Sequence, residues 1–430
     1  TAGSGAFDVL AMRTGTIRAY AIGVSLGMMG ALGGGVAVNT LTGSTTAYLG
    51  GTESAKLTFT YGGDVSVKAK ETIKSTTLGV QAAGGVTIAL ALGVAVTKAS
   101  GTVSAAVDYA TLRNLNSLTV DARADYDLSI KGIGAAIGAA AAGIVVSDIS
   151  LTNDVVSRVE HVTLENVNSV AVTGEGDWNI YAFSLAGAAG IISGAGSSAS
   201  VALQSSVKAY MDDAKLENVG KLTVEAQGTP RVRAVAVAPA ISILGSVGVS
   251  LAKATIAPTI QAWANNISVT SGEARTPAEV LVQALLKKPA SGYSVEAKGF
   301  GLAAGYLLGV SGTDAYVTNG AVVSAYMAGL AGDSRFKSLT VHADNEVSLK
   351  SIATGIGISG FAGIGVATSH VLSNSHTTAY LNANGVVTVA NKLEVSAASS
   401  TFTEQFSTAG AGSLALAIGA TRAGQTLTAT

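Results

Sequence analysis

Along residues 232–252 large and small side chains alternate. Val235, Val237, Ile241, Ile243, Val247, Val249 and Leu251 fall on one parity, and Ala234, Ala236, Ala238, Ala240, Ser242, Ser246, Gly248, Ser250 and Ala252 on the other. A period of two belongs to a β-strand, whose successive side chains point to opposite faces. Such a strand is expected to fill a core with its large positions and to leave its small face nearly flat. The pattern recurs with Ile22, Val24, Leu26 and Met28 in the first copy. It is cleanest in the second, where Val86, Ile88, Leu90, Leu92, Val94 and Val96 alternate with Thr87, Ala89, Ala91, Gly93 and Ala95. Ala89, Ala91, Ala95, Ala234, Ala236 and Ala238 therefore define a candidate packing face. Two arrangements would cover it: a second sheet of the same chain, or a neighbouring molecule.

A shorter alternating strand marks the repeat. It reads VSVKAK (65–70), LTVDAR (118–123), VAVTGE (170–175), LTVEAQ (222–227), YSVEAK (293–298), LTVHAD (339–344) and LEVSAA (393–398). Its central valines, Val67, Val120, Val172, Val224, Val295, Val341 and Val395, are spaced by 53, 52, 52, 71, 46 and 54 residues. A second anchor lies 14 or 15 residues before most of them and carries Tyr48, Tyr210, Trp263, Tyr326 or Tyr380, with Ala106 and Arg158 in the two remaining copies. Stacked at one place on successive rungs, these rings would form a partial aromatic ladder. The ladder would cover the edge of the core or offer a strip for stacking sugars.

The repeat predicts an all-β chain: a parallel β-solenoid of about eight repeats of roughly 53 residues, spanning 1–430 as one unit. Repeats are expected to end near 70, 123, 175, 227, 298, 344 and 398, with a partial last copy. Short Asn-, Asp-, Gly- and Ser-rich linkers such as 113–117, 164–169 and 216–221 read as turns. Two irregularities stand out: 302–320 is about eight residues short, and 266–292 carries an insertion. Within it Thr276-Pro277-Ala278-Glu279 has the form of a capping box with proline at the first helical position. Val280, Leu281, Ala284 and Leu285 supply an apolar stripe, Lys287 and Lys288 suit a helix end, and Pro289 would stop it. These signals predict one short helix.

Composition narrows the partners. The chain has 430 residues, 48% hydrophobic, 12% charged and 5% aromatic, with 53 Gly and a net charge of −1. It is too apolar for a disordered chain, and its glycines lack the collagen period. No basic field argues for nucleic acid. Residues 178–207 hold no charged residue but are rich in Gly, Ser and Ala, so a membrane-spanning helix is disfavoured. The absence of cysteine suits an exported chain stabilised by sheet stacking. Thr1 and Thr430 both lie in repeat-like text, as expected of a piece of a longer protein.

Catalytic and cofactor chemistry finds little support. The four histidines, at 161, 342, 370 and 376, lack zinc-site spacing, and GALGGGVA (30–37) has no following Lys-Ser/Thr. Asp and Glu recur at turns and along the Val-anchored strand, as on a solvated face. No catalytic, cofactor-binding or metal residues are assigned, and no enzyme is expected. A polysaccharide-active β-helix enzyme would need paired carboxylates in a cleft, and a membrane β-barrel would need aromatic girdles and a polar lumen.

The unit of Gly/Ala-rich apolar strand, Ala-Tyr strand and LTVxA strand resembles the passenger regions of the large, repetitive, filamentous-haemagglutinin-like surface adhesins of Gram-negative bacteria. The resemblance covers nearly the whole chain and rests on composition and rhythm. It implies export, extracellular display at the cell surface and a rigid β-solenoid shaft, and carries no functional residues across. The expectation is a structural or adhesive segment that associates with itself through its flat Gly/Ala/Ser face, or binds host or cell-surface glycans or proteins.

Overall fold

The computed structural model describes residues 5–270, 278–330 and 334–429. Within them the chain is all-β, and its strands form one large, parallel hydrogen-bonded network. Among the described residues, the single antiparallel pairing is an isolated bridge between Thr52 and Ala55.

The second repeat shows how one rung is built. An outgoing leg, Asp64–Gly85, runs for 22 residues. Two residues, Val86 and Thr87, turn the chain, and a return leg, Ile88–Asp108, runs back. A short strand, Ala110–Arg113, closes the wide end. The two legs do not pair with each other. Each pairs in parallel with its equivalent in the neighbouring rungs: Val67 lies beside Val9 and Val120, and Leu90 beside Leu32 and Ala142. A leg of this length reaches about 70 Å at 3.3 Å per residue. In the third rung the strand Ser117–Glu160 continues through the turn without a break.

Asparagines shape one corner of the wide end. Asn114, Asn166 and Asn218 adopt φ of 59, 58 and 57°, the left-handed conformation that Asn accepts more readily than other non-glycine residues. Asn166 Nδ2 donates to Asn114 Oδ1 at 3.2 Å, and Asn218 Nδ2 donates to Asn166 Oδ1 at 3.1 Å. The linker asparagines are thus a ladder along the stack.

The interior has two parts. The wide end holds a core of Val, Leu and Ile around Trp178 and Tyr126, both fully buried. Trp178 Nε1 donates to Asn153 Oδ1 at 2.9 Å. Tyr126 donates to Glu71 at 2.5 Å, and the other Glu71 oxygen accepts from Thr45 at 3.0 Å. The thin end, toward the two-residue turn, has an apolar cluster of alanines: Ala31, Ala83, Ala89, Ala91, Ala136, Ala141, Ala188, Ala195, Ala238 and Ala240. Between the two parts, buried hydroxyls pin the legs together. Ser184 donates to the Val145 carbonyl at 3.0 Å, and Ser351 to the Ala315 carbonyl at 2.9 Å.

Two expectations are corrected. No helix forms at the insertion: Ala278–Leu286 is a strand, and Thr276 and Pro277 lie outside the described residues. Val280, Val282, Ala284 and Leu286 alternate and are buried, and they register with Leu222, Val224, Ala226 and Gly228. A local capping pattern is outweighed by the burial and backbone pairing offered by rungs on both sides. The fifth repeat boundary also moves. Val282, not Val295, lies between Val224 and Val341, while Val295 pairs with Val232 and Leu349 farther along the leg. The deficit in 302–320 then disappears. Residues 287–294 are instead a bulge, standing where the neighbouring rungs have only 229–231 and 346–348.

Candidate functional site

The thin end inverts the expected sidedness of the long apolar strand. Ala89, Ala91, Ala95, Ala234, Ala236 and Ala238 are 0% exposed, enclosed between the outgoing and return legs of the same chain. Ile241, Ile243, Val247, Val249 and Leu251, assigned above to the core, are 41–66% exposed. The cause is the two-residue turn. Legs joined by so short a link lie close together and leave little room for branched side chains between them. A Cβ added at Gly248 would sit 2.5 Å from the Leu302 carbonyl oxygen and 2.6 Å from that of Ala238. At Gly365 it would meet the carbonyl oxygens of Gly410 and Gly355 at 2.1 and 2.7 Å. Gly, Ala and Ser fill most of this space, with Gln81 and Val145 accommodated opposite glycines, so most large residues go outside. The small face is therefore internal and cannot serve association between molecules.

What remains outside is a blade that is apolar on both faces and along its edge. Leu90, Leu92, Ile144, Val249 and Val366 project from the return legs, and Ile22, Val24, Ile137, Ile241 and Ile358 from the outgoing legs. The turns add Met28, Met29, Val86, Ile243, Tyr306, Phe361 and Leu414. Contiguous apolar surface of this extent is unusual on a monomer in water and marks a surface that something covers.

The ring positions form the second candidate. Tyr48, Ala106, Arg158, Tyr210, Trp263, Tyr326 and Tyr380 occupy one register line. Tyr210 and Trp263 stack with centroids 4.2 Å apart, Trp263 and Tyr326 at 5.8 Å, and Tyr326 and Tyr380 at 4.9 Å, all within 4° of parallel. Tyr48 is separated from this run by Ala106 and Arg158. The inner rings cover one another's faces, so the run offers a sugar an open ring face only at its end. Burial pushes the Tyr210 hydroxyl up to about 12. Trp263 Nε1 donates to Asp212 Oδ2 at 3.2 Å.

Charged side chains collect where the blade meets the wide end. Arg233 pairs with Glu296 at 3.0 Å and Lys298 with Glu296 at 2.7 Å, while Lys350 pairs with Glu404 at 2.8 Å. Tyr293, on the 287–294 bulge, donates to Glu404 as well. The Lys350 and Tyr293 hydrogen bonds hold the Glu404 carboxyl below its ordinary value. The histidines are dispersed: His161 stacks on Tyr109 at 4.4 Å beside Asp108, and His370 faces Asp314. Among the described residues, no group of three or more His, Asp and Glu is arranged to hold a metal ion. No described helix is long and apolar enough to cross a membrane.

No protein-family model matches the chain, and no curated protein sequence matches it. The alternation and the ring line were legible in the sequence. The exposed blade was not, although the charge-free turns that build it were present in every repeat.

Proposed function

We propose that the chain is a segment of an extracellular β-solenoid, a rigid shaft with a structural or adhesive role at the cell surface. The observation that carries this reading is the parallel register of the long legs, which resumes after each local bulge. From the first rung, starting at Ala6, to the last, ending at Ala429, each long leg is hydrogen-bonded to equivalents in the rungs beside it. A structure whose stability comes from nearest-neighbour stacking extends by adding rungs and has no natural globular limit. The asparagine and aromatic ladders run along the same axis and stiffen it through like-on-like contacts. A shaft of this kind needs no cofactor, and none is assigned.

Electron microscopy of the purified chain tests the proposal. Rods that lengthen in proportion to added repeats support it, with a rise of about 4.8 Å per rung. A compact particle of fixed dimensions contradicts it.

A further inference from the structure

We infer that the thin end of the molecule is a lipid-inserting edge, which enters one leaflet of a membrane without spanning it. Three observations point to a fluid apolar medium as the occupant. First, the apolar surface wraps both faces and the turn edge to a similar depth. A second copy packed flat would cover one face, and a copy packed end-on would cover only the edge.

Second, the depth is bounded by charge. Every turn lies in a charge-free stretch, such as 132–147, 234–252, 299–313 and 351–369. The first three are bracketed by Lys131 and Asp148, Arg233 and Lys253, and Lys298 and Asp314, while after Lys350 the next charged residue is Lys392. The shallowest limits are Lys131, six residues from Ile137, Asp314, six from Leu308, and Arg422, six from Leu416. At 3.3 Å per residue this allows about 20 Å of insertion. One leaflet offers about 15 Å of hydrocarbon plus a few ångströms of headgroup, and a full core is about 30 Å thick. The border also carries long basic side chains and rings of the kind that sit at a headgroup layer. Arg233 lies over the Tyr181 ring at 5.3 Å, and Lys350 over the Tyr293 ring at 4.8 Å.

Third, the turn backbone bonds to its neighbours. Tyr306 N donates to Ile243 O at 3.0 Å, Leu307 N to Leu244 O at 2.8 Å, Phe361 N to Tyr306 O at 3.0 Å and Leu414 N to Gly360 O at 3.1 Å. Interior rungs can therefore enter hydrocarbon without stranding these amide groups, the condition that excludes most irregular backbone from lipid.

The test uses the whole chain and phosphatidylcholine vesicles. The sequence has no cysteine, so Ile243→Cys at the edge and Glu53→Cys at the wide end each carry one environment-sensitive fluorophore. The chain is expected to float with the vesicles. The label at 243 should shift to the blue, and the label at 53 should not. A triple variant, I243E/Y306E/F361E, alters exposed turn residues and is expected to keep its β circular dichroism. It should lose vesicle partitioning by more than about a hundredfold. Failure to float, or equal responses from the two labels, overturns the inference. A blue shift at 243 without vesicles, growing with protein concentration, overturns it in favour of a second copy. The inference stands apart from the shaft proposal, since rods that ignore vesicles would refute only the former and compact particles that bind them only the latter.

Discussion

Gly355 and Val366 face each other across the thin end so closely that a Cβ on Gly355 would lie 2.2 Å from the Val366 carbonyl oxygen. Gly355→Val must push the legs apart, and it is expected to lower unfolding stability by about 1–3 kcal/mol. Ile358, three residues on and 49% exposed, faces outward. Ile358→Ser is expected to change stability by no more than about 0.5 kcal/mol. Denaturant titration of both variants separates them. Equal losses would place both side chains in the interior.

The asparagine ladder makes a different prediction. Asn166 holds a φ of 58° and joins Asn114 to Asn218 through two side-chain hydrogen bonds. Asn166→Ala loses the bonds and keeps the strained backbone, at an expected cost of about 1–3 kcal/mol. Asn166→Gly relaxes the backbone and should cost less. The order of their melting temperatures checks this.

Trp263 is stacked on both sides, by Tyr210 and Tyr326. Trp263→Ala is expected to cost about 1–3 kcal/mol from the two ring contacts. Because both ring faces are covered, oligosaccharides added to the wild-type chain should leave Trp263 emission unchanged. A saturable change would assign the ladder to sugar binding.

Asp177 lies in register with Asp125 on the adjacent rung. Burial first, and then the Asp125 charge, raise the Asp177 carboxyl above its ordinary value. A raised folded-state value means that the native chain holds this proton more tightly than the unfolded chain. The associated stability is present at acid pH and is lost as pH rises from the unfolded value through the folded one. Asp177→Asn should remove this loss and be relatively more stable at neutral pH than in acid. Parallel pH profiles of wild type and variant would refute it.

The sequence carried the strand period, the repeat and the ring line, because each follows from residue spacing. Val67, Val120, Val172 and Val224 are register partners, and the rings from Tyr210 to Tyr380 stack. Alternation defines two faces but not which one is enclosed. At Ala240 and Ile241 side-chain size suggested one answer, and the two-residue turn imposed the other. The helix expected at 276–289 failed for a related reason. Its capping and apolar signals are local, whereas the partners of Val282 are Val224 and Val341, dozens of residues away. The blade required both facts together: charge-free turns, and large residues turned outward.

The inverted sidedness of the thin end is tested most directly by thiol accessibility at two adjacent positions. Ala240→Cys and Ile241→Cys can be compared in the native chain, where the parent side chains are 0% and 55% exposed. The structure predicts that the thiol at 241 reacts with a maleimide nearly as fast as a free thiol, while the thiol at 240 reacts only after unfolding. Rapid reaction at 240 with protection at 241 would contradict it.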